Sequence, residues 1–202
     1  GSTWTPQKYG MHDDIHHLIF SKDGSALWSA TDGGIYKSID GGQSWVNKTN
    51  GIGVSNVHAI STSGNANNKV VIGTYDTGSS LYNPKTGQWQ FTTGGDGYCN
   101  MIDHKNDSIV YTSAVGGTVW RNDDAWSTNS RKGASKSGGG SDWQTWVTMD
   151  PKNPEIIYQC GSSLWRNTAR GERNSWAPIL NVAEKFPGSY KVLRAYVAPS
   201  DP

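Results

Sequence analysis

Charge is scarce in this chain. Only 17% of its 202 residues are Asp, Glu, Lys or Arg, and the formal net charge is +1. Nucleic acid and anionic membrane surfaces are usually held by a basic patch, so neither is expected as a main partner. Long apolar runs are missing as well, which excludes a bilayer-spanning helix, and no membrane insertion is expected. No secretory leader opens the chain, and Gly1-Ser2 resembles a cloning scar. Methionine appears three times and cysteine twice. Cys99 and Cys160 lie far apart without metal-type spacing, as two free buried thiols or as one disulfide, and they do not define a compartment.

What is abundant is aromatic and glycine. Ten Trp and nine Tyr accompany 25 Gly. Aromatic and β-branched runs punctuated by Gly, Asn and Asp predict an all-β protein. So many indoles serve either as packing residues or as stacking faces for sugar rings.

Short β-like runs fall into groups of four that recur at roughly 40–50 residues, the period of propeller blades. The first group is His16–Phe20, Ala26–Ala30, Gly34–Ser38 and Ser44–Asn47. The same order returns after Val57, after Cys99 and after Trp146. Aligned turns support the register: Asp103-His104-Lys105-Asn106-Asp107 matches Asp150-Pro151-Lys152-Asn153-Pro154, and Ala198 to Pro202 matches both. The expected fold is a β-propeller of four-stranded antiparallel blades, about four of them, spanning 12–50, 54–95, 97–143 and 145–181. Residues 1–10 read as the outer strand of a preceding blade and 190–202 as the inner strand of a following one. Those two strands cannot complete one blade, so the chain is expected to be part of a larger ring. Exposed blade edges would invite self-association or a partner.

Ser38-Ile39-Asp40-Gly41-Gly42-Gln43-Ser44-Trp45 is the most specific stretch. Asp40 can accept backbone N–H bonds within its own turn, Ser38 and Ser44 offer hydroxyls, and Gly41 and Gly42 permit backbone angles closed to other residues. Trp45 anchors the returning strand. With Ala30 to Lys37 before it, this stretch resembles the Asp-box of the sialidase-like (BNR-repeat) β-propeller superfamily, which includes sialidases, xyloglucan-active glycoside hydrolases and sortilin-type receptors. The other groups depart from the pattern. Asn83-Pro84-Lys85-Thr86-Gly87-Gln88-Trp89 loses the Asp, a Gly/Ser/Lys-rich loop over 127–141 replaces the motif in the third, and Asn167 to Trp176 lacks the Asp in the fourth.

In such a blade the motif joins the third and fourth strands, so ligand groups are expected at the opposite end. Candidates there are His12, Asp14, His16, Asp32, Asp76, Asp96 and Tyr98, with Asp13 beside them. Asp32 is the candidate catalytic carboxylate, because Thr31-Asp32-Gly33-Gly34-Ile35-Tyr36 resembles the segment bearing a catalytic aspartate in the xyloglucan-active family. That family carries an extra residue before its Gly-Gly and takes its second acid from another propeller. The plainer reading is that Asp32-Gly33-Gly34, Asp76-Thr77-Gly78 and Gly95-Asp96-Gly97 are tight turns. Arg121, Arg166 and Arg194 lie on successive blades and form no sialidase-like triad.

Asp14 and His16 share one strand face while His17 points away, too few ligands for zinc. No cofactor is called for, and calcium on the rim aspartates is the one metal the chemistry allows. Arg131, Lys132 and Lys136 sit in a Ser/Gly-rich stretch that is a solvated insertion or a flap. The expected function is non-catalytic recognition of a glycan or a protein, with a hydrolase fragment built on Asp32 as the alternative. The family resemblance implies a secreted or cell-surface location.

Overall fold

The computed structural model describes residues 3, 10–53, 55–136, 146–186, 188 and 190–199. The chain divides into two compact units, 1–55 and 56–202.

The first unit holds one antiparallel sheet in the order β1-β2-β3-β4, with β1 Ile15–Phe20, β2 Leu27–Thr31, β3 Gly34–Ser38 and β4 Val46–Asn47. Its connections are tight because the sequence supplies turn chemistry at each end. Asp23 accepts hydrogen bonds from the Ser21 hydroxyl (2.6 Å) and the Ser25 amide (3.1 Å) between β1 and β2. Asp32-Gly33 bridges β2 to β3, and Gly34 takes φ 117°.

The second unit repeats the meander three times. Its first sheet is β5 Val57–Thr62, β6 Val70–Thr74, β7 Gly78–Asn83 and β8 Gln88–Thr93. The next is β9 Met101–Ile102, β10 Val110–Ala114, β11 Thr118–Asn122 and β12 Lys132–Gly133. The last is β13 Val147–Met149, β14 Ile157–Gln159, β15 Ser163–Asn167 and β16 Trp176–Asn181, followed by a single helical turn, α1 Val182–Lys185. Every sheet is an up-and-down meander of four neighbouring strands. The protein is therefore all-β and has the blade architecture of a partial β-propeller.

Alternation along the strands builds the core between successive blades. Val71 and Leu81 of one blade meet Ile102, Val110 and Trp126 of the next. Tyr111 and Val119 on the other face of that second blade meet Val147 and Ile157 of the third blade in the unit. Val110 and Tyr111 are adjacent in sequence and face opposite interfaces, as a period of two requires. Both are fully buried.

Turns joining third to fourth strands show where sequence and structure part. At Ser38 the hydroxyl accepts N–H from Asp40 (3.3 Å) and Gly42 (2.8 Å), while Asp40 accepts the Ser44 amide (2.9 Å) and hydroxyl (2.5 Å). The turn that runs into the 127–141 stretch, which the sequence assigned to a replacement loop, has the same arrangement. Asn122 Oδ1 accepts N–H from Asp124 (2.9 Å) and Trp126 (2.6 Å), and Asp124 accepts the Thr128 hydroxyl (2.6 Å). Ala125 and Trp126 take the left-handed angles, φ 53° and 59°, that Gly41 and Gly42 take in the first blade. Asn167 holds half of the arrangement, accepting N–H from Ala169 and Gly171 (both 2.8 Å). The Asn83 turn differs: Asn83 pairs directly with Gln88, closing a shorter hairpin.

Two further expectations are affected. The expected inner strand over 190–202 is not a strand among its described residues, 190–199, although the Val192 amide does donate to the Gly161 carbonyl (2.8 Å). The expected outer strand over 1–10 lies outside the described residues except at Thr3 and Gly10. Both cysteines are buried free thiols.

Candidate functional site

In the first unit, the β2–β3 turn gathers the histidines. His16 Nε2 bonds Asp32 Oδ1 at 2.5 Å. His12 lies over Gly33 so closely that a Cβ there would sit 2.5 Å from the His12 side chain. Asp14 is exposed and takes φ 55°, a left-handed angle that aspartate tolerates better than most residues. Asp13 is exposed and its carbonyl accepts from His12 Nδ1 (2.9 Å).

In the second unit, Asp76, Asp96 and Tyr98 form one hydrogen-bonded set. Asp96 is 4% exposed; its Oδ1 accepts the Asp76 amide (2.7 Å) and its Oδ2 accepts the Tyr98 hydroxyl (2.9 Å). Tyr98 is itself buried and stacks edge-on against His58 (5.3 Å) and Tyr75 (6.3 Å). Asp96 thus clamps the β6–β7 turn from inside, and the exposed member of the aromatic group is His58.

That histidine opens onto a cavity of about 470 Å3, a size typical of ligand pockets. Its walls are the inner strands β5, β9 and β13 with the residues leading into them, including His58, Cys99, Asn100 and Trp146 at one end and Thr62, His104 and Met149 at the other. The first group precedes or begins its strands. By strand alternation it therefore lies at the end away from the Asn122 and Asn167 turns. His104 is fixed by a hydrogen bond between Nε2 and the Asp150 carbonyl (3.0 Å).

Trp146 is the distinctive wall residue. The Arg194 guanidinium lies 4.5 Å from its ring centroid and Tyr196 packs at 6.2 Å. Its indole Nε1, like those of Trp165 and Trp176, is buried with no hydrogen-bond partner among the described residues. Buried Trp N–H groups usually find one. Cys99, also in the wall, is chemically quiet: burial pushes its thiol up to about 12. Three other indoles are capped by cations, Trp28 by Lys37, Trp120 by Arg131 and Trp165 by Lys136.

Sequence reading singled out the acids and Tyr98 but missed His58, Trp146 and the inner-strand wall. No local motif marks them. The only available signal was that each sits at the start of an inner strand in the repeat register.

The described residues define a partial β-propeller with a cavity lined by the inner strands of the second unit. No protein-family model matches the chain, and no curated protein matches it. Its structural neighbours include a GH74 enzyme from Niastella koreensis (16% identity, 87% of this chain, 33% of that chain, TM-score 0.49) and a GH74 xyloglucanase from Xanthomonas campestris (12%, 77%, 28%, 0.48). An auxiliary nutrient binding protein from Bacteroides thetaiotaomicron is another (14%, 77%, 38%, 0.44). The chain spans a third or less of the length of these GH74 structures. No helix among the described residues is long and apolar enough to cross a membrane.

Proposed function

We propose that this chain is a non-catalytic recognition module of a secreted or cell-surface protein, binding a glycan or a protein segment at the ends of the inner strands. The observation that carries the reading is the cavity of about 470 Å3 at the inner strands, with His58, Asn100 and Trp146 in its wall. The His58 imidazole offers a ligand a ring face and a hydrogen bond, and the Trp146 ring adds an aromatic wall. Asp76, Asp96 and Tyr98 support the rim of this site. In this reading His12, Asp14 and His16 serve a second polar rim in the first unit. The test is a glycan array and a peptide library probed with the intact chain. Trp146→Ala, which removes the aromatic ring from the wall, should weaken the selected ligand at least fivefold. Unchanged binding in that variant would remove Trp146 from the site.

A hydrolase fragment with Asp32 as a catalytic carboxylate is the second reading, favoured by the Asp32–His16 contact on a glycine-flanked turn. Release of sugars from a polysaccharide panel that is lost in Asp32→Asn would establish it. No release by the wild-type chain with calcium present would count against it.

A further inference from the structure

The last two blades carry the same side chains in the same register. Asp103, Tyr111, Arg121 and Asn122 in one correspond to Asp150, Tyr158, Arg166 and Asn167 in the other. Tyr111 pairs with Arg121 across β10 and β11, and Tyr158 pairs with Arg166 across β14 and β15. Asp103 Oδ1 accepts N–H from Lys105 and Asn106, and Asp150 Oδ1 accepts N–H from Lys152 and Asn153.

In the first set this constellation is a filled socket. The Arg170 carbonyl of the following blade receives the Arg121 Nη1 (2.7 Å) and the Tyr111 hydroxyl (3.3 Å). Arg121 Nη2 reaches Glu172 (2.9 Å), and Arg170 Nε returns to Asp103 Oδ2 (3.1 Å). Arg170 takes φ 51°, the left-handed angle of the turn begun by Asn167. Arg121 is 7% exposed and Asp103 fully buried, so these are desolvated, charge-assisted contacts.

The second set lacks such a turn: Asp150 is 3% exposed, Tyr158 is half-buried and Arg166 is exposed. Ile157 packs toward the preceding blade, so strand alternation turns Tyr158 and Arg166 to the opposite face. Arg166 is exposed, and among the described residues neither it nor the Tyr158 hydroxyl has a hydrogen bond or ion pair. No guanidinium bonds Asp150 among those residues either. The segment around Val192 to Tyr196 lies against Gly161 and Trp146 and leaves the Arg166 side chain exposed to solvent.

We propose that Asp150, Tyr158 and Arg166 form a docking socket for a further blade, recognised through a turn of the Asn-x-x-Arg-Gly-Glu kind. Arg166 and Tyr158 would hold the carbonyl of its left-handed arginine, Arg166 its acid, and Asp150 its guanidinium. A second copy of this chain is a poor occupant. Its Arg170 turn is already seated on Asp103, and its Ser38 and Asn122 turns carry Gly41 and Ala125 at the arginine position. The socket is independent of the ligand site at Trp146.

The probe is a disulfide-closed hairpin peptide reproducing residues 163–181, shown by its own amide dispersion to be folded. It is titrated into isotope-labelled full chain. Amide shifts should centre on Tyr158, Gln159 and Arg166, and Arg166→Ala in the chain should weaken binding at least fivefold. Replacing the peptide's Arg170 by Ala should weaken it comparably. No shifts at millimolar peptide, or equal binding by the Ala peptide, would overturn the socket. Concentration-dependent dimerisation of the chain that Arg166→Glu abolishes would overturn the choice of occupant.

Discussion

Asn122 is the residue whose loss should say most about this fold. It is 1% exposed, and its amide group makes four hydrogen bonds within one turn. Oδ1 accepts from the Asp124 and Trp126 amides, and Nδ2 donates to the carbonyls of Thr128 (3.1 Å) and Ser130 (2.8 Å). At about 1 kcal/mol net for each bond, Asn122→Ala should cost about 4 kcal/mol. That is a large part of the ~5–15 kcal/mol that stabilises a typical domain. Asn122→Ser provides a graded comparison, because Ser38 holds the equivalent two amides with a hydroxyl. Serine recovers the two acceptor contacts and loses the two donor contacts, so its cost should be about 2 kcal/mol. Urea unfolding followed by intrinsic Trp fluorescence measures both. With a slope near 2–3 kcal/mol per molar, the Ala variant's midpoint should fall by roughly 1.5 M and the Ser variant's by about half that. An Ala variant within ~0.5 kcal/mol of wild type, or a Ser variant no better than Ala, would refute the role assigned to this side chain.

Acid should loosen the first unit through Asp40. Its carboxyl is held at about 2, below the ordinary 3.8, first by the Ser44 hydroxyl and then by the Ser44 amide and Ser38 hydroxyl. A depressed folded-state pKa gives stability that is fully present above the unfolded pKa and is lost as pH falls from about 3.8 toward 2. The Trp45 indole NMR signal should lose its folded position over that window, and Asp40→Asn should flatten the response; an unchanged acid profile in the variant would contradict this. Burial pushes Cys99 up to about 12 and Cys160 up to about 11, so iodoacetamide at neutral pH should label neither until the chain is denatured. Rapid labelling of the native chain would show an open path to them. A Cβ on Gly73 would collide with the Gly97 carbonyl and the Asn100 amide, whereas one on Gly133 meets nothing within 4 Å. Gly73→Ala should lower the melting temperature by several degrees, the equivalent of ~1–3 kcal/mol, and Gly133→Ala should not.

The Ser38 turn was legible because it advertises its own backbone: Gly41 and Gly42 are the residues that take φ 70° and 92° without strain. The Asn122 turn has the same hydrogen bonds and escaped notice because Ala125 and Trp126 occupy the left-handed positions. Trp126 is 1% exposed and packs against Val71, Leu81, Ile102 and Val110, so the neighbouring blade compensates for an angle that local chemistry disfavours. The same division holds at the candidate site. Gly95-Asp96-Gly97 identified a turn, but whether the Asp96 carboxylate faced solvent or protein depended on the Asp76 amide and Tyr98 hydroxyl meeting it.

By itself the sequence determined the class, the four-strand rhythm and the turns that carry their own glycines or aspartates, because those depend on neighbours a few residues apart. Only the tertiary structure decided that His58, Asn100 and Trp146 share one cavity wall. It alone filled the Arg121 socket and left the Arg166 socket open. These groups lie tens of residues apart, and inter-blade packing brings them together.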